Sequence, residues 1–302
     1  MRSLTLRQLR AVLTVSRLGK VSAAAKALGL TAPAVTLQIQ QAEAAAGTPL
    51  FERASDGFRA TDAGRATIAA AQDIEQRLLL LGEEIVAIGG GEKGVLRLGA
   101  VSTAKYFVPR MIAGFVTEHP GIELPLTIGN RAAIIAALDA REIDVALMGR
   151  PPRAAEVGTH LIGDHPLVIV AAPDHPLAGQ RAIPKRRIAE ETILMREPGS
   201  GTRTSLELFL GEIPGRPDLP GPEFNSNETI KQAVMARMGV AMLSAHTIAL
   251  ELEVGRLAVL DVVGTPLMRQ WFVVSLSDRP PSPALAAFRE FVARRGKDFL
   301  PG

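Results

Sequence analysis

The chain has 302 residues, of which 47% are hydrophobic, and this size suits two or three folded domains. It contains no cysteine, which excludes disulfides and thiolate metal sites. No apolar run approaches the ~20 residues of a membrane span. The first residues also lack the basic-then-apolar order of a secretory signal. We therefore expect a cytoplasmic protein that has no membrane partner.

The net charge of +3 is concentrated at one end of the chain. Residues 1–65 hold nine basic and four acidic residues and so carry +5, whereas the remaining residues carry −2. A local positive excess of this kind suits a segment that neutralises DNA phosphates. A solvated basic surface is the alternative for any single arginine, but it explains the asymmetry poorly.

Three helices are predicted within this basic segment. The first begins with a capping box, in which Thr5 and Gln8 satisfy each other's free backbone donors. Ser22 is expected to cap the second helix, which ends at Gly29, and Thr31 to cap the third. This order is typical of a helix-turn-helix, whose last helix places its first turns in the major groove of DNA.

The third helix is expected to have a buried face and a DNA-facing one. Val35, Ile39, Ala42 and Ala46 form its inner stripe. Small, hydroxyl-bearing and amide-bearing side chains near its N-terminal end can contact thymine methyls, base edges and phosphates. These are Thr31, Ala32, Pro33, Thr36, Leu37 and Gln40. A small helical domain with no role in DNA binding is the alternative.

Residues 49–61 predict a wing, that is, a β-hairpin next to the helices. Ser55-Asp56-Gly57 is a typical hairpin turn between two short strand-like segments. Arg53 and Arg59 lie on either side of the turn and would lie along the DNA backbone. A charged surface hairpin is the alternative for either arginine alone.

A long helix is predicted from Thr61 to Ile88. Its apolar residues are spaced alternately by three and four positions: Ala71, Ile74, Leu78, Leu81, Ile85 and Ile88. This a/d seam favours a partner helix from a second copy, which would place two DNA-binding heads on neighbouring half-sites. Packing against the rest of the same chain is the alternative.

The segment 89–94 matches the glycine pattern of a dinucleotide-binding loop, G-x-G-x-x-G. Such a loop must follow a strand and precede a helix, so that the helix N-terminus meets the pyrophosphate. Here the order is reversed, because a long helix precedes the glycines and a strand-like segment over 95–101 follows them. We therefore interpret residues 89–94 as a flexible hinge.

Strand-like and helix-like segments alternate after residue 95, which predicts α/β subdomains with mostly parallel sheets. Ligands of such sheets bind beyond the carboxyl ends of the strands. Three segments qualify, namely 102–103, 198–203 and 226–229, and their side chains suit a carboxylate or phosphate. The candidate residues in these segments are Ser102, Thr103, Ser200, Thr202, Arg203, Asn227 and Glu228, and Asn130 is a further candidate outside them. Ordinary helix capping is the alternative for each segment alone.

No catalytic or metal-binding pattern is complete. Residues 102–105 match S-x-x-K, but the accompanying motifs of penicillin-recognising enzymes are missing. The five histidines are not spaced as a metal site. The sequence therefore predicts a regulatory protein and not an enzyme.

Residues 1–88 resemble the winged helix and linker helix of LysR-type transcriptional regulators. The residues that carry the resemblance are Leu9, Ser22, Ala23, Ala24, Leu28, Pro33, Ala34, Val35, Thr36, Gln38, Ile39, Glu43, Gly47, Leu50, Phe51, Arg53, Thr61, Ala63 and Gly64. Thr36 stands where serine is more frequent, and Ala42 where leucine is. The resemblance implies phosphate or base contacts for Pro33, Thr36, Gln38 and Arg53, and it places Ser22 with them.

The later residues resemble the effector-binding domain of the same family. The resemblance implies an α/β fold class: a winged helix-turn-helix (1–60), a linker and dimerisation helix (61–88), a hinge (89–94) and an effector-binding domain (95–302). That last domain would consist of two Rossmann-like lobes of the type II periplasmic-binding-protein kind. Lobe one would comprise 95–165 and 268–302, and lobe two 166–267.

Segments 197–203, 226–234 and 243–247 resemble the CbbR branch of the family, which controls carbon-dioxide-fixation genes. That resemblance implies double-stranded promoter DNA as the target and no bound cofactor. It also implies a small anionic effector such as a phosphorylated sugar, phosphoenolpyruvate or NADPH. A homodimer or homotetramer that works with RNA polymerase is expected. A regulator of the same family that controls another metabolic operon is one alternative. A solute-binding protein is the other, but it would need an export signal and would not use residues 1–65.

Overall fold

The computed structural model describes residues 4–54, 57–88, 93–152, 156–211, 213, 221–278 and 281–301. The chain forms two compact units, Met1–Ile85 and Val86–Gly302. Over the described residues, every helix is too short or too polar to cross a lipid bilayer.

The first unit is a winged helix-turn-helix followed by a long helix. Its elements are α1 (Leu6–Leu18), α2 (Val21–Leu28), α3 (Ala32–Ala46), β1 (Phe51–Ala54), β2 (Gly57–Ala60) and α4 (Asp62–Ile88). The capping box is confirmed, because the Thr5 N–H donates to Gln8 Oε1 at 2.8 Å and the Gln8 N–H donates to Thr5 Oγ1 at 3.4 Å. The predicted cap of α3 is also confirmed, with Thr31 Oγ1 accepting from the Ala34 N–H at 3.3 Å.

The predicted cap of the second helix is wrong by two positions. α2 begins at Val21, so its N-cap is Lys20 and no side chain caps it. Ser22 instead lies in the first turn, where its side chain is exposed. The reason is that Gly19, in the left-handed conformation at φ 68°, ends α1 so abruptly that α2 starts almost at once.

The wing is held against the helices through the backbone of its first strand and the residue before it. The Glu43 carboxylate of α3 accepts the N–H groups of Leu50 and Phe51, at 2.9 and 3.3 Å. The start of α4 approaches the same segment so closely that a Cβ at Gly64 would lie 2.0 Å from the Leu50 carbonyl oxygen. These contacts fix the predicted hairpin against a small core that contains Val12, Val15, Val35, Ile39 and Leu50. The predicted turn residues Ser55 and Asp56 lie outside the described residues.

The predicted long helix is confirmed as α4, which has 27 residues. Of its seam, Ala71 is buried, and Ile74, Leu78, Leu81 and Ile85 are 39–60% exposed. The side chain of Ile88 lies outside the described residues. A single copy of the chain therefore leaves an apolar stripe on this helix in contact with water.

The second unit is built on a seven-stranded mixed sheet. Its elements are β3 (Gly94–Val95), β4 (Leu98–Val101), α5 (Val108–Glu118), β5 (Ile122–Glu123), β6 (Leu126–Gly129), α6 (Arg131–Asp139), β7 (Val145–Met148), β8 (Val157–Ala171), α7 (Lys185–Ala189), β9 (Met195–Arg196), α8 (Gly201–Gly211), β10 (Glu223–Phe224), α9 (Asn227–Met235), β11 (Ala241–Ser244), α10 (Ala249–Glu253), β12 (Ala258–Leu260), β13 (Leu267–Leu276) and α11 (Pro283–Arg295). The strand order is β11-β8-β13-β7-β4-β6, and β12 also pairs with β8.

The prediction of mostly parallel sheets is wrong for this sheet. β4 pairs in parallel with β6 and β7, but β8 and β13 make antiparallel ladders with each other and with β7, β11 and β12. The predicted hinge is also shorter than expected, because Gly94 pairs with Ile122 in a parallel ladder. Residues 89–92 of the hinge lie outside the described residues.

β8 and β13 run through two hydrophobic cores, and we call them the crossing strands. Ile162 and Trp271 belong to one core, whereas Leu167 and Ile169 belong to another. The ladder between the two strands shifts register between Trp271 and Phe272. Such a bulge bends and twists a strand pair locally. The place where the chain passes from one core to the other is therefore also where its strands bend.

Candidate DNA-binding face and effector cleft

The predicted DNA contacts of α3 lie on its exposed side. Thr31, Ala32, Pro33, Thr36 and Gln40 are exposed, and Gln38 is half-buried. The opposite face supplies Val35, Ile39 and Ala42 to the core. The Thr36 hydroxyl donates to the Ala32 carbonyl at 3.0 Å, so in this conformation its oxygen can accept a hydrogen bond from a base but has no hydrogen left to donate to a phosphate. Whether these residues touch DNA stays a prediction.

In the wing, Arg59 is exposed. It lies opposite Glu52 in the β-ladder of the hairpin, and Arg53 lies opposite Phe58. The Arg53 side chain lies outside the described residues. Arg7, Arg17, Lys20 and Lys26 are also exposed, so the basic excess of the first unit is available to a polyanion.

The second unit contains a cavity of about 410 Å³, which we call the cleft. Residues that directly follow three parallel strands line it: Ser102 and Thr103 after β4, Asn130 and Arg131 after β6, and Gly149 and Arg150 after β7. The N-terminal end of α8 adds Ser200, Gly201 and Thr202. The crossing strands add His165, Leu167 and Arg269. The carboxyl ends of strands and a helix N-terminus thus meet at one site, as predicted for an α/β ligand site.

Four arginines line the cleft and no carboxylate does, among the described residues. They are Arg131, Arg150, Arg196 and Arg269. Burial, together with the neighbouring Arg150 guanidinium, lowers the pKa of Arg131. Like charges held this close attract an anion strongly, because the anion relieves their mutual repulsion. The cleft is therefore suited to a small ligand that carries negative charge.

Arg196 differs from the other three because it is buried among protein partners. Its side chain is 2% exposed. It donates to both carboxylate oxygens of Glu197, at 2.8 and 3.0 Å, to Ser102 Oγ at 3.3 Å, and to Asn227 Oδ1. Its charge is thus largely matched within the protein, and its hydrogen bonds hold one wall of the cleft in place.

Of the eight predicted effector residues, five line the cleft: Ser102, Thr103, Asn130, Ser200 and Thr202. Arg203 does not. It is turned away from the cavity and pairs with Glu207 and Glu223 at 2.8 and 2.6 Å. The reason is helical geometry, because Arg203 follows Thr202 by one residue and so faces another side of α8.

Asn227 and Glu228 are also absent from the lining and lie beside it. Asn227 is buried against Arg196. Glu228 accepts from Lys105 Nζ at 2.5 Å and from the Tyr106 hydroxyl. Both residues therefore hold neighbouring groups in place, and neither reaches the cavity.

The sequence analysis missed Arg131, Arg150, Arg196, Arg269 and His165. Two of these were accessible to sequence reasoning, because Arg131 and Arg150 come just after strand ends, where ligand-binding residues concentrate. The others lie within strands, and no local pattern distinguishes them from core or surface residues. Among the described residues, no three His, Cys, Asp or Glu side chains gather in a manner that could hold a metal ion.

Comparison with known proteins identifies the architecture. Residues 6–65 match the model of the bacterial regulatory helix-turn-helix protein of the lysR family, and residues 89–297 match the LysR substrate binding domain. The chain belongs to the LysR family. It is thus a DNA-binding transcriptional regulator, and the predicted fold class, a winged helix-turn-helix followed by two Rossmann-like subdomains, is confirmed.

Among relatives in this family, the HTH-type transcriptional regulator CbbR of Rhizobium meliloti is 54% identical over 301 residues, covering 100% of this chain and 96% of the relative. The RuBisCO operon transcriptional regulator of Allochromatium vinosum is 44% identical and covers 95% of both chains. The resemblance to the CbbR branch is therefore confirmed. A solved structure of the Synechocystis CcmR regulatory domain in complex with 2-PG has a TM-score of 0.64 and 35% identity, and it covers 68% of this chain and 99% of that one.

Proposed function

We propose that this chain controls a RuBisCO operon, and that an organic phosphate bound in the cleft changes its affinity for the promoter. The names of the full-length relatives support the target. The observation that carries the effector class is the set of four arginines in a cleft whose described lining has no carboxylate. The protein would act in the cytoplasm, where promoter DNA and phosphorylated metabolites meet.

The effector we favour is small. A cavity of about 410 Å³ is near the lower end of ligand pockets, which span about 300–1,000 Å³. This size favours a phosphorylated sugar or phosphoenolpyruvate over the dinucleotide NADPH. The 2-PG in the structure of the Synechocystis relative supports the same class of ligand.

Promoter binding would require at least two copies of the chain. The exposed seam of α4 is the surface through which we expect them to pair, as a homodimer or as half of a homotetramer. Two α3 helices would then read two half-sites of a symmetric operator, and RNA polymerase would bind next to them.

The direct test measures both activities on one preparation. Fluorescence anisotropy with a promoter fragment of a RuBisCO operon measures DNA affinity. Calorimetry with 2-PG, phosphoenolpyruvate, ribulose bisphosphate and NADPH measures effector binding. We expect nanomolar binding to this fragment, and binding of at least one organic phosphate that shifts the DNA affinity. If none of the four compounds binds at millimolar concentration, the proposed effector class is wrong.

Arg53→Ala is expected to weaken binding to all DNA sequences alike, because a wing arginine would contact phosphate and not bases. The slope of log affinity against log salt should become shallower by about 1 per lost phosphate contact. Titrations at several salt concentrations measure this slope. Arg256→Ala, an exposed arginine of the second unit, is the control. If the slopes of Arg53→Ala and the parent are equal, Arg53 does not contact DNA.

Thr202→Ala is expected to weaken effector binding while leaving DNA affinity unchanged. Thr202 is buried at the start of α8 and lines the cleft. Losing one hydrogen bond costs about 1 kcal/mol, or roughly fivefold in affinity. Calorimetry with 2-PG measures the change, and the exposed Thr117→Ala on α5 is the matched control. Identical titrations for both variants would show that the Thr202 hydroxyl does not contact the ligand.

A further inference from the structure

His165 is a buried polar side chain that the fold does not satisfy. It lines the cleft and is 6% exposed. Among the described residues, neither Nδ1 nor Nε2 has a hydrogen-bond partner. A buried imidazole without partners costs free energy, and such groups are rare in folded proteins. Its position in the cleft indicates that a ligand supplies the missing partner.

The surroundings of His165 hold its ring in one place. The ring stacks on the indole of Trp271 with 3.9 Å between centroids and an interplanar angle of 19°. On the other side, a Cβ at Gly149 would lie 2.8 Å from His165 Nδ1, so only glycine leaves room for the imidazole there. Trp271 in turn donates its Nε1–H to His246 Nδ1 at 3.1 Å. The ring is therefore fixed before any ligand binds.

The charges that face His165 are positive or neutral. Arg269 lies opposite His165 in the ladder, on β13. His246, which belongs to the 3-10 turn before α10, stacks on His165 with 6.1 Å between the ring centroids. Arg150 follows Gly149, and Arg131 and Arg196 line the same cavity. Burial lowers the pKa of His246, and the carboxylate of Asp164, next to His165 on β8, partly offsets that lowering. No carboxylate is therefore available in the described cleft to stabilise a charged His165.

Without a ligand, this environment keeps His165 neutral. Burial, together with the neighbouring His246 and Arg269, lowers the pKa of His165 to about 3. A neutral imidazole presents one N–H donor and one bare nitrogen acceptor. Since neither ring nitrogen has a partner among the described residues, a ligand that carries an O–H group, such as a protonated phosphate, can donate to the bare nitrogen.

We propose that His165 contacts the acidic group of the ligand, and that each binding event takes up one proton, shared between this imidazole and the ligand's phosphate. The proton comes from the buffer, and the only bond that forms is N–H or O–H. This inference rests on the proposed function, because it requires a phosphate in the cleft. A phosphate suits the exchange, since its second ionisation has a pKa of about 6 and it can hold the proton itself.

The consequence is a pH-dependent affinity with a definite sign. The complex would hold a proton that the free partners lack, so affinity rises as pH falls. Where a whole proton is taken up, the rise reaches about tenfold per pH unit. The effect disappears above the pH at which the bound pair loses its proton. The arginines do not titrate in this range, so the dependence belongs to His165 and the phosphate.

Calorimetry with 2-PG tests this directly. Titrations at pH 7.5 in buffers of different ionisation enthalpy give the number of protons taken up per ligand. We expect about one for the full-length parent protein, and close to none for His165→Asn, whose amide can hydrogen-bond but does not titrate. His160→Asn, on the same strand but outside the cleft lining, should behave as the parent.

Each outcome is informative. If 2-PG binds to the parent without proton uptake, or with equal uptake to His165→Asn, this inference is wrong and the proposed effector class remains. If no organic phosphate binds, both are wrong. Should His165→Asn fail to fold, nitrogen-15 NMR of the parent's five histidines decides. One imidazole must change its signals on addition of 2-PG, and an unchanged set contradicts the inference.

Discussion

Replacing Leu78 with glutamate is expected to separate the protein into single copies and to lower its affinity for a two-site promoter by about 100-fold or more. Leu78 lies at the centre of the exposed α4 seam and is 39% exposed in one copy. In a two-fold pairing each substitution acts twice, once in each copy. Both copies would lose the burial of a leucine, worth about 1.5–3 kcal/mol, and gain a charge that the interface cannot solvate.

The loss at the promoter would exceed the loss at one half-site. Two linked heads bind their second half-site as an intramolecular event, and this advantage disappears when the copies separate. Analytical ultracentrifugation measures the oligomeric state, and anisotropy compares a full operator with a half-site fragment. The half-site affinity should stay the same, because the α1–α3 core is not touched.

Leu79→Glu is the matched control for this experiment. Leu79 is on the same helix, is 54% exposed and lies outside the a/d seam. It should leave both the oligomeric state and the promoter affinity nearly unchanged. If Leu79→Glu and Leu78→Glu have equal effects, the seam does not direct the pairing. If neither has an effect, α4 is not the pairing surface at all.

The elements that the sequence predicted well are those whose signals are local. The capping box of Thr5, the cap at Thr31 and the left-handed glycines each act within one turn of helix, so a short sequence window contains the whole signal. The heptad spacing of α4 is local in the same sense. The one wrong cap, Ser22, failed because Gly19 and Lys20 leave almost no connection between two helices.

The sheet and the cleft depend on contacts between distant residues. Nothing in the segments around Val170 or Phe272 distinguishes a parallel from an antiparallel ladder, because each is a continuous apolar run. The cleft shows the same dependence. Arg269 meets His165 through strand register, about one hundred residues apart in the chain. Ser102 and Thr202 line the cavity, as expected for residues at a strand end and a helix start, and their contact with an anion stays a prediction. Arg203 was assigned to the cleft but pairs with Glu223 instead.

Substitutions of two cleft arginines are expected to have large and different effects. Replacing Arg269 should weaken ligand binding, whereas replacing Arg196 should lower the stability of the fold. Arg269 is half-buried, and within the described part of the chain it has no ion pair or hydrogen bond that would need replacing. Arg196 is buried and makes hydrogen bonds to Glu197, Ser102 and Asn227. The first is free to bind a ligand, and the second mainly supports the fold.

Arg269→Met should therefore weaken 2-PG binding by about 10- to 100-fold, the value of a charge-assisted hydrogen bond of about 1.5–3 kcal/mol. The free energy of unfolding should change by less than about 0.5 kcal/mol, as for most substitutions outside a core. Arg196→Met should instead lower the free energy of unfolding by about 3 kcal/mol or more, because Glu197 keeps a poorly solvated charge without its partner.

Denaturant unfolding followed by tryptophan fluorescence separates the two cases. Trp271 is the only tryptophan in the sequence and is fully buried in the second unit, so its signal reports that unit alone. A lower midpoint for Arg196→Met at unchanged slope measures the lost stability. Calorimetry with 2-PG on the folded Arg269→Met protein measures the lost affinity. If Arg269→Met binds 2-PG as the parent does, the cleft holds its ligand without the crossing strands. If Arg196→Met unfolds at the same midpoint as the parent, the buried pair with Glu197 does not stabilise the fold.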